Sequence, residues 1–172
     1  IIDPESVEEY IGQRGYEALG TILTSMSPEQ VVEDMVKSGL RGRGGAGFPT
    51  GLKWRFAAQN KADQKYVCCN ADEGDSGTFA DRMVMEGDPL MLIEGMTIAG
   101  IATGATRGFV YIRSEYPDAI ATMKEAIAAA VAAKWLGDNI QGTDKSFRLE
   151  VRRGAGAYIC GEETAMLESL EG

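Results

Sequence analysis

Apolar positions recur along this chain at two different periods, and the switching between them predicts helices alternating with strands. Ser27-Pro28-Glu29-Gln30 reads as a capping box with proline at the first helical position. Val31, Val32, Met35 and Val36 come next at helical spacing, and Gly39 suits the turn past the end, so a helix is predicted from about 28 to 38. Asp88-Pro89 opens a second helix, apolar nearly all round and running to about Thr103. It should be covered on most sides, with Gly95, Ala99 and Gly100 small enough for close packing. Tyr116-Pro117 starts a long amphipathic helix that places Ile120, Met123, Ile127, Val131 and Trp135 on one face. Between these helices lie three short strand patterns: Lys65 to Cys69, Phe109 to Arg113, and the alternating Arg148 to Arg152. Strands separated by helices of this length imply βαβ units, hence an α/β fold with a largely parallel sheet, preceded by an N-terminal helical segment over 1–41.

Composition narrows the chemistry. The 172 residues are 44% hydrophobic and 25% charged, the profile of an ordinary globular domain. Seventeen Lys and Arg against 26 Asp and Glu give a formal charge of −9, which argues against nucleic acid and against anionic membrane surfaces as partners. There is no histidine, so triads, Cys–His dyads, imidazole proton shuttles and His-ligated zinc are all excluded. The three cysteines, Cys68, Cys69 and Cys160, cannot hold a four-cysteine cluster. In a strand, Cys68 and Cys69 point to opposite faces, and free buried thiols in a reducing compartment are the expected state. No leader pattern comes after Ile1 and Ile2, and Pro89 to Ala105 is too short to span a bilayer and is broken by Glu94. The expectation is a cytoplasmic-type protein without membrane insertion. The chain begins without Met and stops at Gly172 with a helix under way, and so reads as part of something longer.

Two glycine-rich segments carry the candidate chemistry. Gly42, Gly44 and Gly47 fit G-x-G-x-x-G by letter, but a helix precedes them and Pro49 interrupts the next segment, unlike the dinucleotide fingerprint. Their surroundings favour a site over a turn. Arg43 and Lys53 supply positive charge, Gly44 and Gly45 permit close backbone approach, and Phe48, Trp54 and Phe56 offer flat surface for a ring. A phosphorylated, ring-bearing cofactor matches this set, against the plainer reading of core aromatics beside solvated cations. The second segment, Gly154 to Gly161, leaves a strand and enters a helix, but Glu162 and Glu163 at the helix start disfavour a phosphate on its terminus. Those carboxylates either stabilise the first helical turn or hydrogen-bond a nucleotide's ribose or carboxamide. The acidic run Asp72, Glu73 and Asp75 is either a solvated loop or part of a site at the carboxyl end of a strand. It lacks calcium-loop spacing, no P-loop is present, and no metal site is predicted.

The runs GRGGAGFPTGLKW at 42–54, NADEGDSGTFADR at 70–82 and GAGAYICGEETAMLESLEG at 154–172 closely resemble the flavoprotein subunit of NADH dehydrogenases. That family includes the complex I subunit and its relatives in NAD-reducing hydrogenases and NAD-dependent formate dehydrogenases. The resemblance covers essentially the whole chain. It implies a Rossmann-like three-layer α/β/α domain over 42–172 that binds FMN with NADH stacked over it. By matching position, Gly42, Arg43, Gly44, Lys53, Asn70, Asp72 and Glu73 would cradle FMN, with Tyr158, Gly161, Glu162 and Glu163 completing that side. Phe48 and Phe56 would sandwich the adenine, and Gly45, Ala46, Lys53, Asp75, Tyr158 and Glu163 would meet the dinucleotide, the last two at its nicotinamide end. Asp75 stands where the respiratory enzymes commonly have Glu, and the wording around it resembles the formate dehydrogenase and hydrogenase branch. The β subunit of an NAD-dependent formate dehydrogenase is the preferred assignment, with complex I and hydrogenase subunits as alternatives.

The resemblance also explains the missing histidine. Hydride transfer between nicotinamide and flavin needs rings held at roughly 3–3.5 Å and no general base, so Glu163 is expected to position the nicotinamide. Members of the family continue into a ubiquitin-like domain and a helical domain bearing a four-iron cluster, whose ligands are not in this chain, and use a downstream asparagine pair on the flavin. Expected partners are therefore NAD(H), iron–sulfur electron-transfer subunits and a catalytic subunit of a larger complex, at the inner-membrane periphery where that complex is complex I. Whether this length alone retains FMN is open at this point. Two readings of other kinds stand beside the enzyme: a non-catalytic nucleotide-binding or scaffold domain, and a Rossmann domain that binds dinucleotide without flavin. All cofactor readings share one geometric requirement, that the loops around Gly44 and Gly161 border a common cavity.

Overall fold

The computed structural model describes residues 3–172; Ile1 and Ile2 lie outside the described residues. In chain order the helices are α1 (Val7–Gly12), α2 (Glu17–Ser25), α3 (Pro28–Ser38), α4 (Thr50–Gln59), α5 (Ala80–Gly87), α6 (Pro89–Thr103), α7 (Pro117–Ala132) and α8 (Glu163–Glu171). The strands are β1 (Tyr66–Ala71), β2 (Arg107–Ile112) and β3 (Arg148–Arg153), all parallel in the order β1-β2-β3. The expected α/β class with a parallel sheet is what the chain adopts.

Local chemistry sets the best-defined ends. At α3 the Ser27 hydroxyl accepts from the Gln30 amide while the Gln30 side chain accepts from the Ser27 amide, and Gly39 closes the helix at φ 68°. At α6 the Asp88 carboxylate accepts from the Met91 amide ahead of Pro89, and Gly104 closes it at φ 78°. Pro49, expected to interrupt, instead sits immediately before α4, where a missing N–H leaves no intrahelical bond unmade. Lys65 secures two helix ends at once, its Nζ donating to the carbonyls of Ala57 and Ala58 at the end of α4 and of Thr103 in α6.

Each strand alternates between two faces. Val67, Cys69, Ala71, Val110, Ile112, Leu149 and Val151 join the main core beneath α6 and α7. Cys68 and Tyr111 point the other way, where Met166 and Leu170 of α8 meet them and the Tyr111 hydroxyl lies 2.9 Å from Ser169 Oγ. Helices therefore cover both faces, as a three-layer fold requires. Cys68 and Cys69 do face opposite sides and all three cysteines are free thiols. Burial pushes the Cys69 thiol up to about 12.

Two expectations about packing faces are corrected. On α7 the fully buried residues are Ala119, Met123, Ala126 and Ala130, while Ile120 and Ile127 are only partly buried and Val131 is exposed. Small side chains let α7 sit close to its neighbours, so the alanine stripe faces inward. Trp135 lies past the helix and stacks on Tyr16, with centroids 4.4 Å apart. On α6 a Cβ at Gly100 would meet the Phe147 ring at 2.5 Å, confirming close packing there, whereas Gly95 is exposed and borders open space.

Glu94, the residue that breaks the apolar run, is buried in α6 with a specific function. Its carboxylate accepts from the Tyr10 hydroxyl (2.5 Å), the Tyr16 amide (3.0 Å) and the Leu19 amide (3.0 Å). It thus ties α1, α2 and the turn between them to the domain, and pins Tyr16 at φ 63°. Replacing Glu94 with Ala strands those donors in the core and is expected to lower stability by about 3 kcal/mol, and Tyr10→Phe by about 1 kcal/mol, read from urea unfolding midpoints. Gly51→Ala is expected to destabilise by about 2 kcal/mol in the same assay, because its Cβ would lie 2.5 Å from the Val36 backbone where α4 crosses α3.

Candidate cofactor-binding site

Parallel strands deliver the acidic loop after β1 and the glycine segment after β3 to the same edge of the sheet. The first glycine loop reaches that edge from the α3 side. It is closed by an antiparallel bridge between Arg41 and Pro49, by the Gly42 amide donating to the Phe48 carbonyl at 3.0 Å, and by the Thr50 amide donating to the Leu40 carbonyl at 2.9 Å. Gly45 and Gly47 adopt φ of 104° and 60°, which side chains rarely tolerate. Gly44 has no such backbone requirement, and a Cβ there would meet no protein atom within 4 Å. Nothing in the chain's own packing calls for glycine at 44, which leaves room for a ligand against the backbone.

Two adjoining cavities, of about 570 and about 1020 Å³, share Gly44, Asp72, Asp81, Gly161 and Glu162 as walls. Gly44 and Gly161 therefore border a common space. Arg43, Gly45, Glu73, Asp75 and Tyr158 line the smaller cavity, and Ala46, Lys53, Asn70 and Glu163 the larger. These volumes suit a cofactor-sized ligand. Of the remaining candidates, Gly42 serves the closure of its own loop, and Phe48 and Phe56 are exposed without lining either cavity. Trp54 packs against the main core instead of offering a stacking surface, since α4 turns it toward the other helices.

The acidic side chains divide into two groups. Glu73 is buried, and its carboxylate accepts from the Asp81 and Arg82 amides at the start of α5, both at 3.2 Å, and from the Tyr116 hydroxyl at 3.3 Å. Glu162 accepts from the Thr164 and Ala165 amides, both at 3.0 Å, and these bonds hold its carboxyl below the usual range. Both carboxylates are thus engaged as helix caps while their residues still wall the cavity. In contrast, Arg43, Lys53 and Glu163 enter none of the ion pairs among the described residues. Burial raises the Asp72 carboxyl, with nearby Arg113 opposing the shift and Glu115 adding to it. Asp81, next to Glu73, is also raised, mainly by burial.

Hydrogen bonds stitch the second glycine segment to the acidic loop. Asn70 Nδ2 donates to the Gly161 carbonyl at 2.9 Å, and its Oδ1 accepts from the Asp72 amide. The Tyr158 hydroxyl donates to Asp75 Oδ1 at 2.8 Å, joining two residues that line the smaller cavity, and this contact pushes the phenol's pKa up. Close approach is again visible in the glycines: a Cβ at Gly74 would press on the Tyr158 ring at 2.9 Å, and one at Gly161 on the Asp72 carbonyl at 3.1 Å. Sequence reasoning missed Arg113, Tyr116 and Asp81, which shape this wall. The available signal was the place of Arg113, directly after a strand at the carboxyl edge of the sheet.

The chain is similar to the NADP-reducing hydrogenase subunit HndC of Solidesulfovibrio fructosivorans, 58% identical over 99% of this chain and 34% of that protein. It is also similar to the F 2 subunit of the NADH-quinone oxidoreductase of Rhizobium meliloti strain 1021, 52% identical over 99% of this chain and 40% of that protein. The chain thus spans about a third to two-fifths of the length of these relatives. Its backbone matches a chain in the crystal structure of the NAD+-reducing [NiFe]-hydrogenase in the air-oxidized state, with a TM-score of 0.77 and 38% identity over 96% of this chain and 27% of that one. The model of the Nuo51 FMN-binding domain matches residues 35–172, from within α3 through every loop that walls the two cavities. This chain belongs to the Nuo51 FMN-binding domain family.

Proposed function

We propose that residues 42–172 bind FMN in the paired cavities, with NAD(H) entering beside it, and that the N-terminal helical segment supports this domain through the core residues it contributes, Tyr16, Leu19 and Val31 among them. The observation carrying this reading is the single space bordered by Gly44 and Gly161, into which Arg43, Lys53 and Glu163 bring charges unpaired within the described residues. Gly44 supports the same fit, because the strip of backbone it leaves bare is what a planar or phosphorylated group needs for close approach.

FMN held between the two glycine segments, with Arg43 and Lys53 beside it, would supply the hydride-accepting and one-electron chemistry. The chain's own residues supply position and field. Lys53 and Arg43 stand as cations for phosphate or for negative charge on the ring system. Asn70 holds the Gly161 carbonyl and so fixes the second glycine segment relative to β1. Glu163, free of the capping duty that Glu162 performs, is the carboxylate available to orient a nicotinamide. Tyr158 and Asp75 stand at the entrance, where their mutual bond must open or shift for a dinucleotide to touch either side chain. Gly42, Asp72 and Glu73 shape the cradle through backbone and loop geometry, and Gly45, Ala46, Phe48 and Phe56 are assigned to the dinucleotide side.

At the level of the whole protein, we infer an NAD(P)H-linked oxidoreductase component that feeds electrons to iron–sulfur partners in a multi-subunit assembly. The loop wording favours a formate dehydrogenase or hydrogenase over a quinone-reducing complex, and 58% identity to HndC against 52% to the quinone-reductase relative supports the hydrogenase side of that pair. No helix among the described residues is long and apolar enough to cross a membrane. Attachment through partner subunits at the cytoplasmic side is the arrangement we propose.

The full-length protein is expected to carry yellow flavin that NADH bleaches under anaerobic conditions; protein still colourless after reconstitution with FMN would remove the enzyme reading. Glu163→Gln is expected to lower kcat/KM for NADH by about tenfold or more while leaving the FMN dissociation constant within about threefold, and equal losses in both would contradict its assignment to the nicotinamide. Lys53→Met is expected to weaken FMN binding to the apo-protein by about tenfold, read by quenching of flavin fluorescence.

A further inference from the structure

We infer that Arg113 is a positioning residue for the cofactor cleft, holding the wall formed by residues 72–78 in the shape that admits a nucleotide. The inference deepens the FMN and NADH reading and rests on it. Arg113 comes directly after β2, and its Nη1 donates to the backbone carbonyl of Glu73. Its Nε donates to the Glu115 carboxylate at 3.3 Å, and the guanidinium lies 5.2 Å from the centroid of the Tyr116 ring. Only 22% of this long cationic side chain remains exposed, so its geometry is held from several directions at once.

Glu73 is consequently gripped at both ends. Its carbonyl is taken by Arg113, while its carboxylate accepts from the first amides of α5 and from the Tyr116 hydroxyl. The single Tyr116 hydroxyl proton is shared between the Glu73 carboxylate and the Thr78 carbonyl, each at 3.3 Å, so the far end of the loop is held by the same β2–α7 connection. With Glu73 immobilised, its neighbours Asp72 and Gly74, which line the smaller cavity beside it, are held in place. Gly74 in turn lies against Tyr158, and Asp72 lies against Gly161, so the position of this wall is passed directly to the second glycine segment.

Arg113 also answers an electrostatic need. Asp72, Glu73, Asp75, Asp81 and Glu162 all line the smaller cavity, and an anionic phosphorylated ligand must enter beside them. Arg113 is the cation that opposes the upward shift of the Asp72 carboxyl, and it reaches the loop from behind without occupying the cavity. It therefore offsets part of the wall's negative charge while leaving the ligand space clear.

The test uses full-length apo-protein titrated with FMN, alongside thermal melting of the same preparations. Arg113→Met is expected to raise the FMN dissociation constant by about tenfold while shifting the apo melting temperature by only a few degrees. Arg113→Lys is expected to restore the melting temperature but not the FMN affinity, because one ammonium cannot reproduce the planar contacts with a carbonyl and a ring; a purely structural brace would recover both together. Arg107→Met, which removes an ion pair to Glu150 on the sheet face, is expected to leave FMN affinity unchanged. If Arg113→Met fails to fold, Tyr116→Phe, which loosens the same wall by removing the hydroxyl shared between Glu73 and Thr78, is expected to weaken FMN by about threefold. Wild-type FMN affinity in Arg113→Met, or in Tyr116→Phe where that variant substitutes for it, overturns the inference while the cofactor reading stands. Wild-type protein that binds no FMN removes the cofactor reading, and this inference with it.

Discussion

When every strand of a sheet runs the same way, the chain leaves each one at the same edge, and segments distant in sequence become neighbours there. The register of this sheet sets Ala71 beside Ile112 and Ile112 beside Arg153, so the acidic loop, the Arg113–Tyr116 turn and the second glycine segment emerge side by side. The cleft depends on that alignment. It places the Gly161 carbonyl within reach of Asn70, the Tyr158 ring against Gly74, and the guanidinium of Arg113 on the carbonyl of Glu73. The helices on the apolar face hold the strands in register, and the small residues of α6 and α7 allow them to approach closely enough to do so.

A protein with a net charge of −9 faces an obvious difficulty in binding phosphorylated anions. The structure meets it by engaging carboxylates with its own donors. Glu94 takes two backbone amides and a phenol in the core, Glu73 takes the start of α5, and Glu162 takes the start of α8. A carboxylate satisfied by N–H groups presents less free charge to an incoming anion, and it also removes the unpaired amides that each helix would otherwise expose. What is left outside the ion pairs at the cavities, among the described residues, is a smaller set, with Arg43 and Lys53 set against Asp72, Asp81 and Glu163. The same logic gives adjacent Glu162 and Glu163 different duties: one is fixed by the helix it begins, the other is free.

Much of the fold was legible in the sequence because local chemistry determines it. The bounds of α3 come from a capping box and a glycine, those of α6 from Asp88-Pro89 and Gly104, and the alternation of the strands tells which cysteine faces which side. The short helices α4 and α5 were not recognised, and α1 and α2 were expected only as part of an undivided N-terminal helical segment, because a few turns bury too few residues to display a clear period. The inward face of α7 was misjudged because alanines carry little hydrophobic signal, although close packing prefers them. Among site residues, the glycine loops, Arg43, Lys53, Asn70, Tyr158 and Glu163 could be named from residue type and motif.

Sequence by itself therefore determined the α/β class, the two glycine loops and the chemical type of ligand they suit, since capping, periodicity and glycine content act over a few residues. Tertiary structure alone decided which charges are available. Glu73 and Glu163 are the same residue type, one in the loop after β1 and one at the first position of α8, yet Glu73 is gripped by amides, a phenol and a guanidinium while Glu163 lines the cavity outside any ion pair among the described residues. It also decided that Trp54 belongs to the core and that Trp135 stacks on Tyr16 from beyond its helix. The physical reason is the same in each case: a side chain's role is fixed by partners brought from distant parts of the chain, and no local pattern records which partners the sheet will place beside it.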